Sequence, residues 1–240
     1  MENVKYRRSA DQEIYRNPDW ENPKECFKQI SSMLGISGLG RDFSLLDIGC
    51  AAGESLYHYR TVNPDMRMVG VEYLQSLVNS NHDLLATRNI ELLQGDANNL
   101  TFENASFDFT VSSGVTCIFD DFEPCFNEMI RVTKSGGRCI NLIPLNEMDV
   151  DVLIGYRNPL TKSHEAGWNK FAIKTVKEYL EAHPRVKNHS FEKFELPFDL
   201  EKRDEDLLRT WTVVGDDGRR RFWNGLNTEI SQYFIIFDIV

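Results

Sequence analysis

A loop of small residues, from Gly49 to Gly53, is the first place in this chain of 240 residues where the spacing indicates chemistry. An apolar stretch at residues 43–48 leads into it, and a helical stretch at residues 54–60 follows it. Small residues allow the backbone of such a turn to approach a ligand, and the start of the following helix attracts an anionic group. The loop therefore predicts a ligand site, although the same spacing alone is compatible with a turn that binds nothing.

Polar residues stand where the next predicted strands end. Glu72 closes the second strand, where its carboxylate can accept hydrogen bonds from both hydroxyls of a ribose. Asp96 follows the third strand and can accept from an adenine amino group, while the N–H of Ala97 faces a ring nitrogen. Ser112 and Ser113 end the fourth strand. Because an α/β sheet binds its ligand at the carboxyl ends of its strands, these residues predict a nucleoside site beside the loop.

The elements that would position these residues alternate between short apolar strands and helices. A first helix is expected near Asn22, with Pro23 at its first position and Gly35 closing it in the left-handed conformation. Further helical stretches are expected at residues 54–60, 75–85 and 122–130. Five strands are expected at residues 43–48, 68–71, 90–93, 107–111 and 139–143, the last following Gly136-Gly137 and stopped by Pro144. This rhythm implies right-handed βαβ units and a parallel sheet.

The rhythm changes after Pro144. Residues 145–170 have no clear periodicity, and a helix is expected at residues 171–182. Two more strands are expected at residues 191–196 and 233–239. Between them, residues 209–223 read as a hairpin around the turn Gly215-Asp216-Asp217-Gly218.

Residues 43–144 resemble the class I S-adenosylmethionine (SAM)-dependent methyltransferases. Residues 47–53, DIGCAAG, look like the D/E-x-G-x-G-x-G signature of that family, with Ala51 in place of the middle glycine. Glu72, Asp96 and the segment ending at Ser113 match the next three blocks. The resemblance implies an α/β three-layer sandwich with a seven-stranded, mostly parallel sheet, an antiparallel last strand and a C-terminal hairpin insertion. It also implies SAM as the cofactor and S-adenosylhomocysteine as its product.

The resemblance also assigns roles along the chain. It predicts one domain over residues 1–240, with an arm or lid at 1–20, a SAM-binding core at 43–144 and an acceptor-side region at 145–229. The residues expected to bind the cofactor are Asp47, Gly49, Cys50, Ala51, Gly53, Ser55, Glu72, Tyr73, Asp96, Ala97, Ser112, Ser113 and, from the arm, Tyr15.

Candidates for acceptor chemistry lie in the segment without periodicity. His164 is the candidate general base, because a histidine titrates near the working pH, although an exposed loop histidine is the somewhat commoner case for such a residue. Tyr156, Arg157 and Trp168 are candidates for binding the acceptor, and an anionic acceptor would suit the guanidinium. Asp149 and Asp151 lack an evident third ligand, so no metal site is expected.

Composition limits the remaining possibilities. The net charge of −10 opposes binding to nucleic acid. Five cysteines without a C-x-x-C pair argue against a disulfide scaffold and a structural zinc. Neither a signal peptide nor a membrane span is visible, so we expect a cytoplasmic protein, monomeric or homodimeric, with a small-molecule substrate.

The function expected from these features is methyl transfer to a small polar acceptor such as a sugar, with O-methylation favoured. An N-methyltransferase of a small amine and a SAM-binding partner subunit without catalysis stay open as alternatives. A nicotinamide-dependent oxidoreductase is disfavoured, because Glu54 stands where the third glycine of G-x-G-x-x-G would meet a pyrophosphate.

Overall fold

The computed structural model describes residues 15–157, 162, 164–203 and 208–240. Its strands are β1 (Ser44–Ile48), β2 (Arg67–Glu72), β3 (Ile90–Gln94), β4 (Phe107–Ser113), β5 (Thr133–Asn146), β6 (Gly155–Arg157), β7 (His164–Ala166), β8 (Phe171–Ala172), β9 (Val186–Lys193), β10 (Trp211–Val214), β11 (Arg220–Trp223) and β12 (Glu229–Ile239). Its helices are α1 (Glu25–Met33), α2 (Glu54–Val62), α3 (Gln75–Ser80), α4 (His82–Ala86), α5 (Glu123–Val132) and α6 (Ile173–Ala182).

One large sheet organises the molecule, with the order β3-β2-β1-β4-β5-β12-β9. Strands β1 to β5 pair in parallel, and β12 runs antiparallel to both of its neighbours, β5 and β9. The β10–β11 hairpin pairs with the first residues of β12, and the short β8 pairs with the end of β5. The predicted fold class, including the antiparallel last strand and the hairpin insertion, is confirmed.

Helices cover both faces of this sheet and bury its apolar side chains. Phe27 and Ile30 of α1 and Leu56 of α2 pack on one face, together with apolar residues of β1, β2 and β5. Phe126 of α5 and Leu180 of α6 pack on the other face. The spacing of apolar residues in each helix explains this arrangement, because one stripe of the helix faces the sheet and the other faces water.

Strand β5 is longer than the sequence indicates, because it runs through Gly136 and past Pro144. Its pairing with β4 ends at Leu142, and its pairing with β8 begins at Leu145. Pro144 therefore lies in a gap of the ladder on that side, where a residue without an N–H is best tolerated. The expectation that Pro144 stops the strand was wrong for this reason.

Two other elements differ from expectation. The predicted helix at residues 75–85 is divided at Asn81, whose side-chain amide donates to the carbonyl of Arg16. Residues 145–170, which show no periodicity, contain the two-stranded sheet of β6 and β7. A small sheet of this kind leaves little pattern in a sequence, since each strand has only three residues.

Candidate functional site

The loop after β1 turns back onto the end of β2. The N–H groups of Gly49 and Cys50 both donate to the carbonyl of Val71, at 2.7 and 3.1 Å. The backbone is left-handed at Gly49 (φ 74°), Ala51 (φ 50°) and Gly53 (φ 88°). Ala51 thus adopts the conformation that the family signature provides with a glycine, at a cost of roughly 1–2 kcal/mol.

Glycine is required around this loop for space as well as for conformation. A Cβ on Gly49 would overlap Cγ2 of Val115, and a Cβ on Gly53 would lie 2.6 Å from a methyl group of Leu85. Beneath the loop, a Cβ on Gly70 would lie 2.5 Å from the Sγ of Cys50. The loop is therefore held against its neighbours with no room for added atoms.

A buried pair, Asp47 and Ser55, fastens the two ends of the loop. Both residues are 4% exposed, and the Ser55 hydroxyl donates to the Asp47 carboxylate. Burial raises the pKa of Asp47 to about 7, the hydrogen bond from Ser55 opposes this rise, and the charge of Glu72 adds to it. The pair connects the end of β1 to the first turn of α2.

Glu72 holds the other side of the loop. Its carboxylate accepts from the N–H of Ala51 at 3.1 Å and from the N–H of Leu74 at 2.9 Å, and the residue is 1% exposed. These two bonds tie the carboxylate to the loop on one side and to the chain that follows β2 on the other.

These elements border one cleft at the carboxyl ends of the strands. It is lined by Gly49, Val71, Glu72, Tyr73, Gly95, Asp96, Ala97, Val115, Ile118 and Phe119. One wall, from the ends of β2 and β3, carries carboxylates. The opposite wall, which we call the apolar wall, consists of Val115, Ile118 and Phe119.

The acceptor-side segment reaches the apolar wall through Asn169. This side chain donates to the carbonyl of Phe119 at 2.7 Å and accepts from the N–H of Ile154 at 2.8 Å. In the β6–β7 hairpin, Arg157 pairs with His164, and both are exposed.

Comparisons with known proteins agree with this geometry. Residues 46–141 match the family model described as a methyltransferase domain. A demethylmenaquinone methyltransferase of Lactococcus lactis is 31% identical over 118 residues, which are 47% of this chain and 45% of that protein. The corresponding protein of Staphylococcus aureus is 29% identical over 126 residues, 51% of each. The chain thus spans about half the length of the curated relatives it matches.

Solved structures share the fold. A SAM-dependent methyltransferase from Methanosarcina mazei has a TM-score of 0.57 and 16% identity over 84% of this chain and 95% of its own. A protein from Pyrococcus horikoshii has a TM-score of 0.60 and 16% identity over 95% and 99%. Residues 46–141 form a methyltransferase domain, and the fold is that of solved SAM-dependent methyltransferases. The cofactor of this methyltransferase family is S-adenosylmethionine.

The cleft brings together five of the predicted cofactor residues, namely Gly49, Glu72, Tyr73, Asp96 and Ala97. Asp96 is further fixed because it accepts from the N–H of Asn98 at 3.0 Å. Ala51 points its N–H at Glu72, and Gly53 begins α2. Ser113 is half-buried at the end of β4.

Four other predicted cofactor residues turn their side chains into the protein. Asp47 and Ser55 bond to each other, and the Cys50 thiol is buried beside Gly70. Ser112 is fully buried, and its hydroxyl donates to the carbonyl of Ile48 at 3.0 Å. The Ser112 side chain is therefore engaged within the sheet, and the role of this residue in binding the cofactor stays a prediction.

The predicted arm lies partly outside the described residues, which begin at Tyr15. The amino group of Lys24 lies 5.2 Å from the centre of the Tyr15 ring and 2.8 Å from the carboxylate of Glu54. Tyr15 is therefore close to the first turn of α2. Trp20 packs on Tyr57, with ring centroids 4.8 Å apart.

The acceptor-side candidates separate into different environments. Tyr156 is half-buried opposite Glu165 in the hairpin, and Trp168 packs against the small cluster of Leu196, Phe222 and Ile230. Trp168 therefore has a structural contact in this cluster, and its role in binding the methyl acceptor stays a prediction.

The two aspartates considered for a metal have other partners. Asp149 pairs with Lys174 at 3.3 Å. Asp151 accepts from the N–H of Ala172 at 2.6 Å and from the Thr175 hydroxyl, so it stabilises the start of α6. Within the described parts of the chain, no group of three or more His, Cys, Asp or Glu residues could hold a metal ion. The same part of the chain has no helix long and apolar enough to cross a membrane.

Sequence reasoning missed Asn169 and the apolar wall. A lone asparagine in a segment without periodicity carries no signal of its own. Val115, Ile118 and Phe119 follow the fourth strand, so the position of that strand end was the available clue.

Proposed function

We propose that the protein transfers a methyl group from SAM to a small-molecule acceptor. The observation that carries this proposal is the cleft, in which the Gly49 turn and the Glu72 carboxylate face the apolar wall. Gly49 lines this cleft without a side chain, so a ligand can lie against the backbone of the loop. SAM supplies an electrophilic methyl group on a sulfonium sulfur.

The charges around the loop also fit this cofactor. The carboxylate of Glu54 stands at the first position of α2, where it would repel an anionic ligand. Lys24 neutralises it at 2.8 Å, so the helix N-terminus can attract the methionine carboxylate of SAM. Glu72 and Asp96 are placed to accept hydrogen bonds from the ribose and the adenine amino group.

The protein's part in the reaction is positioning and exclusion of water. The loop and Glu72 fix the donor, and the apolar wall shields the place where the acceptor must approach in line. For a hydroxyl acceptor, a base would remove the proton, and we assign this role to His164. Its exposed position beside Arg157 suits a polar or anionic acceptor.

Two acceptor classes follow from different observations. O-methylation of a small polar metabolite rests on His164, Tyr156 and Arg157, whereas N-methylation would not need the base. The apolar wall instead favours a ring-shaped acceptor, and the curated relatives are named for demethylmenaquinone. A cytoplasmic monomer or homodimer that does not bind nucleic acid completes the proposal, in keeping with the net charge of −10.

Titration calorimetry with SAM, S-adenosylhomocysteine and NAD tests the cofactor. We expect both adenosyl compounds to bind and NAD not to bind. If neither adenosyl compound binds, the proposed function is wrong.

A panel of radiolabelled methyl-transfer assays tests the acceptor. It should contain sugars, small amines and a naphthoquinol, and transfer to one class excludes the partner-subunit alternative. His164→Ala should lower the rate with a hydroxyl acceptor and abolish the acid limb of the pH–rate profile, while His82→Ala, at an exposed histidine on α4, should leave the profile unchanged. Full activity of His164→Ala at every pH removes it as the base.

A further inference from the structure

Asn169 is a fully buried polar side chain at the junction between the acceptor-side segment and the apolar wall. Its amide nitrogen donates to the carbonyl of Phe119 at 2.7 Å and lies 3.5 Å from the carboxylate of Asp120. Its amide oxygen accepts from the N–H of Ile154 at 2.8 Å, and its backbone N–H donates to the carbonyl of Cys117 at 2.9 Å. One residue thus bonds both to the wall and to the segment that carries β6 and β7.

The backbone next to Asn169 is held in an unusual conformation. Trp168 is left-handed with φ 61°, and Gly167 has φ 145°. A Cβ on Gly167 would lie 3.8 Å from the Ile118 side chain, so this turn passes close to the cleft. A left-handed tryptophan persists only where its surroundings hold it, and the bonds of Asn169 are the nearest such restraint.

The base of the hairpin is joined to this turn by backbone hydrogen bonds. Val152 and Lys170 exchange two bonds of 2.9 Å, and the N–H of Gly167 donates to Ile154 at 3.2 Å. Displacement of Phe119 would therefore act through Asn169 on Ile154, which immediately precedes β6. Beyond the turn, Phe171 packs on Phe122 in the core, with ring centroids 4.9 Å apart.

We propose that Asn169 is a positioning residue that couples the cofactor cleft to the acceptor-side hairpin. A ligand that orders the apolar wall orders β6 and β7 as well, because the buried amide of Asn169 is hydrogen-bonded both to Phe119 of the wall and to Ile154 before β6. The hairpin therefore takes up its acceptor-binding position when the cofactor site is filled. This inference rests on the proposed function, since it requires an adenosyl ligand in the cleft.

Hydrogen–deuterium exchange with and without S-adenosylhomocysteine tests the coupling without a known acceptor. In the wild-type protein, the ligand should slow exchange of amides in both the wall and the hairpin strands by about fivefold or more. In Asn169→Ala, the wall should still be protected, whereas the slowing in β6 and β7 should fall below about twofold. A merely structural residue would raise exchange in the hairpin but leave its response to the ligand intact.

Asn146→Ala is the matched control. Its side-chain amide donates to the carbonyl of Val150 at 2.8 Å in the same acceptor-side segment, but the residue is only half-buried and its side-chain bonds stay within that segment. It should behave as the wild type. If Asn169→Ala does not fold, Asn169→Asp retains the size and the acceptor for Ile154 but replaces the donor to Phe119, and it should show the same loss.

The possible results separate the two proposals. If calorimetry finds no binding of S-adenosylhomocysteine to the wild type, the proposed function fails. If the ligand binds but the wild-type hairpin does not respond, or if either Asn169 variant responds like the wild type, the coupling is refuted and the cofactor assignment stands.

Discussion

At the scale of single residues, Gly49 has a left-handed backbone, and the Val115 side chain fills the place where a Cβ of residue 49 would stand. Gly49→Ala would strain the backbone and force the new methyl group into Val115. We expect a loss of about 2–5 kcal/mol in the free energy of unfolding, the sum of the two effects. Binding of S-adenosylhomocysteine should weaken at least about tenfold, which corresponds to roughly 1.4 kcal/mol. Urea denaturation and calorimetry measure the two quantities.

Gly136→Ala is the control that isolates the contact with Val115. Gly136 is also left-handed, with φ 83°, but no atom lies within 4 Å of the place where its Cβ would stand. It is at the opposite end of the sheet, so it should lose only about 1–2 kcal/mol and leave ligand binding unchanged. Equal losses in the two variants would show that Val115 does not restrict the turn.

Asp47 makes the stability of the protein depend on pH. Its ordinary pKa is 3.8, and burial raises the pKa to about 7 in the folded protein. Below pH 3.8 the carboxyl is protonated in both states. As the pH rises from there to about 7, it ionises only in the unfolded chain, so stability falls; above about 7 the loss is complete.

Asp47→Asn tests this dependence, since the amide retains an acceptor for Ser55 and cannot ionise. Between pH 5 and pH 8, the wild type should lose about 1–3 kcal/mol more stability than the variant, measured by urea unfolding. Asp83→Asn, on a fully exposed carboxylate, should have the pH dependence of the wild type. If Asp47→Asn loses as much stability as the wild type between pH 5 and pH 8, the buried Asp47 carboxyl is not the cause of the pH dependence.

At the scale of elements, the parallel core could be predicted because each strand from β1 to β4 is an apolar run next to a helix with one apolar face. The parts that could not be predicted depend on contacts between distant segments. The true length of β5 depends on partners that leave Pro144 in a gap on one side of the strand only, and the inward direction of Ser112 depends on its register with Ile48. Asn169 is positioned entirely by tertiary hydrogen bonds, which no local pattern encodes.

The β10–β11 hairpin is stabilised by a small cluster of its own. Phe222 is 6% exposed and stacks on Phe194 with ring centroids 5.8 Å apart, next to Leu196 and Ile230. Phe222→Ala should therefore destabilise this cluster by up to about 3–5 kcal/mol and accelerate amide exchange in β10 and β11.

The same variant should leave exchange in β1 and β2 and the affinity for S-adenosylhomocysteine unchanged, because Phe222 is absent from the two large core clusters. Val213→Ala, on the same hairpin with 44% of its side chain exposed, should have little effect on exchange. Faster exchange throughout the sheet in Phe222→Ala would show that the hairpin is part of the main cooperative unit.

At the scale of the whole molecule, the strands on the cofactor side and those at the C-terminus share their cores. Residues of β12 alternate between the faces, with Phe234 in one cluster and Ile235 in the other, and β1 does the same with Leu45 and Leu46. A ligand bound in the cleft should therefore stabilise the strands on the cofactor side and the C-terminal strands together, rather than only the former.

Thermal unfolding measures this linkage. With S-adenosylhomocysteine at 100 times its dissociation constant, binding to the folded state alone adds about 2.7 kcal/mol of stability. For a chain of this length, the transition should move upward by about 5–10 °C as a single step. NAD at the same concentration should cause no shift, and Gly49→Ala should show a smaller one. Two separate transitions, of which only one responds to the ligand, would mean that the acceptor side unfolds independently of the cofactor side.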